Sequence, residues 1–205
     1  PFFFKQKPAY DISLGLVGSE MCIRDSILSI QNPYKKSYQA IIPYLKRENL
    51  IYSLQKLVEL GVNSILIYKP ANLDQSLAKK DLSKLNLRLE ESIISACEQS
   101  GCNHIPYIDY FDGLEKCLQS EKINTDFEDL FVLDTIANQF IKEHEILNLN
   151  SITFITGPES GFSEAEREIM NKLGLQSFKI GHYVLRAETA PVIGLSMFHG
   201  LFGEY

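Results

Sequence analysis

No apolar run in these 205 residues approaches the ~18 that a membrane-spanning helix requires, so no membrane span is expected. Cysteine is scarce. Apart from Cys22 near the start there are Cys97, Cys102 and Cys117, an odd number without metal-ligand spacing. A disulfide-stapled scaffold and a zinc module are thereby disfavoured, and reduced thiols in a cytoplasm are expected. His104, His144, His182 and His199 show no ligand spacing either, so the expected metal content is none. His182 is the exception, because its place in the loop after Gly181 could put it beside a bound ligand. Basic residues do not predominate: 20 Lys and Arg face 26 Asp and Glu, for a net charge of −6. Such a chain lacks the basic surplus with which nucleic-acid binders neutralise phosphate. Internal repeats and low-complexity linkers are also missing, which argues against solenoids and strings of modules.

What is present is an alternation of short apolar runs and amphipathic segments. Tyr38–Tyr44 reads as a first strand. Arg47–Leu60 carries Leu50, Leu54, Leu57 and Val58 at helical spacing and stops at Gly61. Ser64–Tyr68 is a β-branched strand ended by Pro70, and residues 72–80 read as a polar loop. Leu82, Leu85, Leu89, Ile93 and Ala96 line one face of a long helix capped by Gly101. Tyr107-Ile108 suits a short strand, Leu114–Leu118 a helical turn, Leu130–Leu133 a buried strand, and Ile136–His144 a weak helix. Strands alternating with helices predict an α/β fold, a parallel sheet flanked by helices.

Two stretches near the end carry the chemistry. Ile152–Thr156 reads as a strand, Gly157-Pro158-Glu159-Ser160-Gly161-Phe162 as a tight loop, and Ser163 as the cap of a helix with Glu166 completing a capping box. Phe178-Lys179-Ile180-Gly181 reads as a second strand ending in glycine, followed by His182–Ala190 and a final apolar helix, Ala190–Phe202. One strand–helix–strand unit separates the two loops, so both should emerge at one edge of the sheet. Open α/β sheets bind ligands there, with glycines admitting a close backbone approach. A plain strand-to-helix turn is the competing reading of the first loop.

GPESGFSEAE followed by IGHYVLRAETA resembles the paired signature of the SPOUT RNA methyltransferases, and within them the RsmE family. That family methylates N3 of a uridine in 16S ribosomal RNA of the small subunit. Ser160 stands where the family usually has glycine. The resemblance continues through Ser53–Val62 and Ala96–Gly101 and covers roughly Tyr38 to the C-terminus. It implies a SPOUT domain with a C-terminal trefoil knot, a homodimer, and S-adenosyl-L-methionine as cofactor, held by Leu133, Gly157, Gly161, Ile180, Gly181 and Leu185. Methyl transfer needs positioning and loss of the N3 proton. Arg186 is the candidate cation over the uracil oxygens, and Glu159 and Glu188 are the candidate carboxylates. Alternatively, Arg186 pairs with Glu188 or caps the last helix. Lys46-Arg47 is a candidate RNA contact or a solvated loop. The family tends to have arginines where Cys102 and His104 stand. The apolar residues Val192, Ile193, Leu195, Met197, Phe198, Leu201 and Phe202 surround the final helix on more than one face, which suits a dimer interface. A nucleotide- or cofactor-binding dimeric module without catalysis is the rival function.

The leading residues read differently. Phe4–Ile12 is close to a translation of sequencing-library adaptor DNA, and Leu16–Asp25 of a transposase adaptor, so residues 1–25 are expected to be non-native. Residues 26–37 are expected to be a remnant of the family's N-terminal PUA-like barrel, with Ile27–Ile30 as its last strand. The barrel is then essentially missing, and 38–205 is the methyltransferase domain.

Overall fold

In a computed structural model the described residues are 34–73, 82–123, 129–142 and 148–204. The leading segment, the Ile27–Ile30 strand, most of the 72–80 loop and the side chains of Leu82 and Leu85 lie outside them. Six strands form one parallel sheet: β1 (Ser37–Pro43), β2 (Ser64–Tyr68), β3 (Tyr107–Phe111), β4 (Leu130–Leu133), β5 (Ser151–Thr156) and β6 (Gln176–Phe178). Their spatial order is β3-β2-β1-β5-β4-β6. The helices are α1 (Arg47–Glu59), α2 (Leu82–Ser100), α3 (Leu114–Leu118), α4 (Glu164–Lys172) and α5 (Ala190–Phe202).

Strand alternation explains the layers. Tyr38, Ala40, Ile42, Ile65, Ile67, Phe154 and Phe178 point to one face and meet α1, α2 and α5 through Leu54, Ile93, Leu195 and Phe198. Ile41, Leu66, Val132 and Ile155 point to the other and meet Leu114, Cys117 and Leu118 of α3, together with Met170 of α4. β1, β2, β4 and β5 are buried on both faces, which is why they read as continuous apolar runs rather than alternating ones. No helix among the described residues is long and apolar enough to cross a membrane.

Two expected elements are corrected. The helix over Ile136–His144 is absent from its described part, 136–142, which instead forms a turn and one parallel bridge, Phe140 to Lys179. Asp134 is the cause: its carbonyl accepts from the Ala137 amide and its carboxylate from the Ile136 amide, a side-chain turn that competes with helix initiation. The last strand lies earlier than expected, at 176–178, because β4 offers partners only as far as the Leu133–Phe178 pair. Ile180 and Gly181 are therefore loop residues rather than strand residues.

The order also creates a switch point. From β1 the chain moves through α1 to β2 on one side, whereas from β5 it moves through α4 to β6 on the other. Neighbouring strands whose connections diverge leave a crevice at their C-terminal ends. Here that crevice lies between the start of α1 and the loop at 157–163.

Candidate functional site

The loop after β5 is built by its own residues. The Gly161 amide donates to the Pro158 carbonyl at 2.9 Å, closing a turn, and Gly161 adopts a φ of +74° that favours glycine. A Cβ on Gly157 would stand 3.1 Å from the Phe162 ring. Ser163 caps α4 through the expected capping box: its hydroxyl accepts from the Glu166 amide, and Glu166 accepts from the Ser163 amide. The other oxygen of Glu166 accepts from the Ala71 amide at 3.1 Å, tying this loop to the one after β2. Burial of Glu166 is thus matched by hydrogen bonds, and the loop is held from two sides.

Glu159 projects from that loop and is exposed. Glu188, just ahead of α5, is buried, with its main-chain carbonyl accepting from the Ser53 hydroxyl at 3.0 Å. Between the two carboxylates sits a residue that the sequence reading missed. Asn49, in the first turn of α1, donates its side-chain amide to Glu159 Oε1 at 3.4 Å and to Glu188 Oε2 at 3.3 Å. One amide group carries two donors, so a single asparagine spans both acids. The positive end of α1 faces the same charges. Arg186 Nη1 lies 3.9 Å from Glu188 Oε1 while its side chain remains 85% exposed. The pairing foreseen for Arg186 is therefore present, but it is loose and leaves the guanidinium open to a ligand. All three expected catalytic residues meet at one place, with Lys46 and Arg47 exposed at the start of the same helix.

The expected cofactor residues divide. Gly157 and Gly161 border the carboxylates, and Ile180, Gly181 and Leu185 lie in the loop beyond β6. Leu133, 4% exposed, instead packs beneath α5: a Cβ on Gly194 would fall 2.5 Å from its Cδ1. Its side chain belongs to the core, and only the chain end following it, at Asp134, reaches the edge. The hydroxyl of Thr156, the last residue of β5, is buried without a hydrogen-bond partner among the described residues. A buried orphan hydroxyl beside Gly157 is a waiting contact for a polar ligand. Alternation within a strand masked this signal in the sequence.

A cavity of about 340 Å³ lies to one side, lined by Asp134, Ile136, Asn138, Arg167 and Met170 among others. Arg167 pairs there with Asp134 and stands 5.7 Å over the Phe162 ring. It meets the first glycine loop through the Phe162 ring, and a Cβ on Gly161 would stand 4.0 Å from its Nη2. The carboxylate cluster is the better centre for chemistry, because Arg167 and Asp134 already satisfy one another. Tyr183 and Val184, 89% and 78% exposed, stand beside Arg186, and His182 makes an edge contact with Phe140 at 5.3 Å.

The family model of the RNA methyltransferase domain matches residues 32–199. A ribosomal RNA small subunit methyltransferase E from Mesomycoplasma hyopneumoniae is 30% identical over 167 residues, covering 80% of this chain and 70% of that protein. One of the same name from Buchnera aphidicola (subspecies Schizaphis graminum) is 32% identical, covering 78% and 63%. The crystal structure of ribosomal RNA small subunit methyltransferase E from Neisseria gonorrhoeae, bound to S-adenosyl methionine, superposes with a TM-score of 0.70 at 29% identity, covering 82% of this chain and 67% of that one. The chain spans about two thirds of the length of these relatives.

Proposed function

The chain belongs to the RNA methyltransferase domain family, within the ribosomal RNA small subunit methyltransferase E group, and on that premise we propose that it methylates N3 of a uridine in 16S ribosomal RNA using S-adenosyl-L-methionine. The observation that carries the proposal is the meeting of Arg186, Glu188, Glu159 and Asn49 at the edge that bears the glycine loops. The residues present fit the cofactor. Thr156 offers an unpaired buried hydroxyl, Gly157 and Gly161 open the backbone beside it, and Ile180 supplies half-buried apolar surface. When bound, the sulfonium supplies an electrophilic methyl group, so the protein's task is to position the base and remove its proton.

Arg186 performs the first task. Its exposed guanidinium presents a planar fork to the uracil oxygens and stabilises the negative charge that develops when N3 loses its proton. Glu188 anchors Arg186 from below. Glu159, exposed at the loop tip, accepts the N3 proton, and Asn49 holds both carboxylates at a fixed separation. Lys46 and Arg47 flank this opening and would meet the phosphate backbone, giving an acidic chain a local basic approach.

We propose a knot, a homodimer and a cytoplasmic site of action as well. After edge strand β6 the chain returns to the middle of the sheet, where α5 packs on β1 and β5; this is the return a trefoil knot needs. Pulling the termini apart should leave a residual knot that shortens the final contour length, and full extension would refute it. Exposed Tyr183, Val184 and Ile193 suit a homodimer, which sedimentation at micromolar concentration checks. The work site would be the cytoplasm, beside the small ribosomal subunit. For the activity, calorimetry with S-adenosylmethionine against ATP, followed by methyl transfer to small-subunit RNA, is the test. Methylation at N3 blocks base pairing and stops reverse transcription at one position. Binding without any transfer would leave a cofactor-binding module, and preference for ATP would overturn the cofactor.

A further inference from the structure

We infer that Cys102, Cys97 and His104 form a redox-active thiol site at the C-terminal end of α2, one that reacts with hydroperoxides and closes to a Cys97–Cys102 disulfide. The backbone sets the pair. Gly101 takes a φ of +72° after the last turn of α2, and the Cys102 amide donates back to the Cys97 carbonyl at 3.1 Å. This helix-ending motif stacks residue 102 over residue 97. Both sulfurs then converge on one atom: Cys102 Sγ lies 3.2 Å and Cys97 Sγ 3.7 Å from the His104 carbonyl oxygen. Disulfides require Cα atoms roughly 4.4–6.8 Å apart, a range suited to residues bridged by such a bond.

The third member supplies the acid–base chemistry. His104 Nδ1 stands 3.8 Å from Cys102 Sγ. The hydrogen bond from the Cys97 thiol, with the imidazole beside it, holds the Cys102 thiol below its ordinary range, and the hydrogen bond with Cys102 raises His104. Cys97 is pushed the other way by its bond to Cys102 and by burial. The assignment of roles follows. Half-buried Cys102 meets the oxidant, and Cys97, 8% exposed, is reached only from within. Cys117 is a built-in control: burial pushes its thiol up to about 12, and it lies in the buried cluster on the opposite face of the sheet. Among the described residues no three such side chains are arranged to hold a metal ion.

The chemistry balances. His104 takes the Cys102 proton, and the thiolate attacks a peroxide oxygen, breaking the O–O bond. The imidazolium returns the proton to the departing oxygen, which leaves as water or an alcohol. Cys102 is now a sulfenic acid. Cys97 attacks its sulfur and the hydroxyl leaves as water, so two thiols surrender two electrons and two protons to one peroxide.

The test is a titration of the reduced chain with hydrogen peroxide, quenched with N-ethylmaleimide under denaturing conditions and mapped by peptide mass spectrometry. Expected is a single oxidised species, two hydrogens short of the reduced chain, with Cys97 and Cys102 blocked and Cys117 and Cys22 alkylated. Cys97→Ser should instead leave Cys102 as a dimedone-reactive sulfenic acid. His104→Asn should slow the first step by about tenfold for each unit by which the thiol pKa rises above the working pH. The untouched chain also decides by itself, whatever the variants do. If its Cys102 reacts no faster than glutathione, or if the disulfide formed joins any other pair, the inference is wrong.

Discussion

Removing the Asn49 amide isolates what the bridge between the carboxylates contributes. Its two hydrogen bonds measure 3.4 and 3.3 Å, longer than the ordinary range, and Glu159 is exposed. A hydrogen bond to a charged group contributes about 1.5–3 kcal/mol at best. At these lengths, and with solvent screening at Glu159, about 0.5 kcal/mol each is the appropriate figure. Asn49→Ala should therefore cost about 1 kcal/mol in the transition state, or roughly fivefold in kcat. Affinity for S-adenosylmethionine should not move, because the amide faces the carboxylates rather than Thr156 and Gly157. Asn49→Asp replaces a donor with a third carboxylate. Repulsion across about 4 Å reaches about 4 kcal/mol at an effective dielectric of about 20, and exposure reduces it to about 2 kcal/mol, or roughly 30-fold in rate. Single-turnover methyl transfer to small-subunit RNA, with cofactor titrations alongside, separates the two effects. Wild-type rates in both variants would refute the bridge, and a loss confined to cofactor affinity would reassign Asn49 to the binding pocket.

Arg186→Ala should lower the chemical step by about 100-fold at normal cofactor affinity, the usual cost of one charge-stabilising contact, with Arg186→Lys partly active; an unaffected rate would make the arginine structural. Gly194→Ala should destabilise by about 1–3 kcal/mol, read as a fall of several degrees in Tm, because its Cβ would stand 2.5 Å from Leu133 Cδ1. His199 is buried between the Tyr34 and Tyr38 rings, and burial pushes its pKa down despite Glu204 nearby. The unfolded chain then binds this proton more readily than the folded one. Stability contributed by neutral His199 is present above about pH 6.5 and is lost as pH falls through that value towards the lowered one. A scan of Tm against pH should show this acid limb, and His199→Phe should flatten it.

How much of this was legible follows from how far each signal travels along the chain. The capping box of Ser163 and Glu166 is a local pattern, and it formed where the sequence placed it. Strands buried on both faces, such as Ser64–Tyr68, announce themselves by composition alone. The helix expected over Ile136–His144 failed because a competing local bond, from Asp134, is as short-ranged as helix initiation and is not visible in apolar spacing. The edge strand shifted because its limits are set by the length of β4, an element far earlier in the chain. The site shows the same division. Arg186, Glu188 and Glu159 lie in two marked loops and could be named from those loops. Asn49 is 110 residues from Glu159 and 139 from Glu188, and nothing in RENLIY distinguishes it from a solvated first-turn residue. Only the sheet order, which sets β1 beside β5, carries the start of α1 to the two acids. The residue that joins the two halves of the candidate site therefore had to be found in the fold, whereas the residues it joins could be proposed from their own loops.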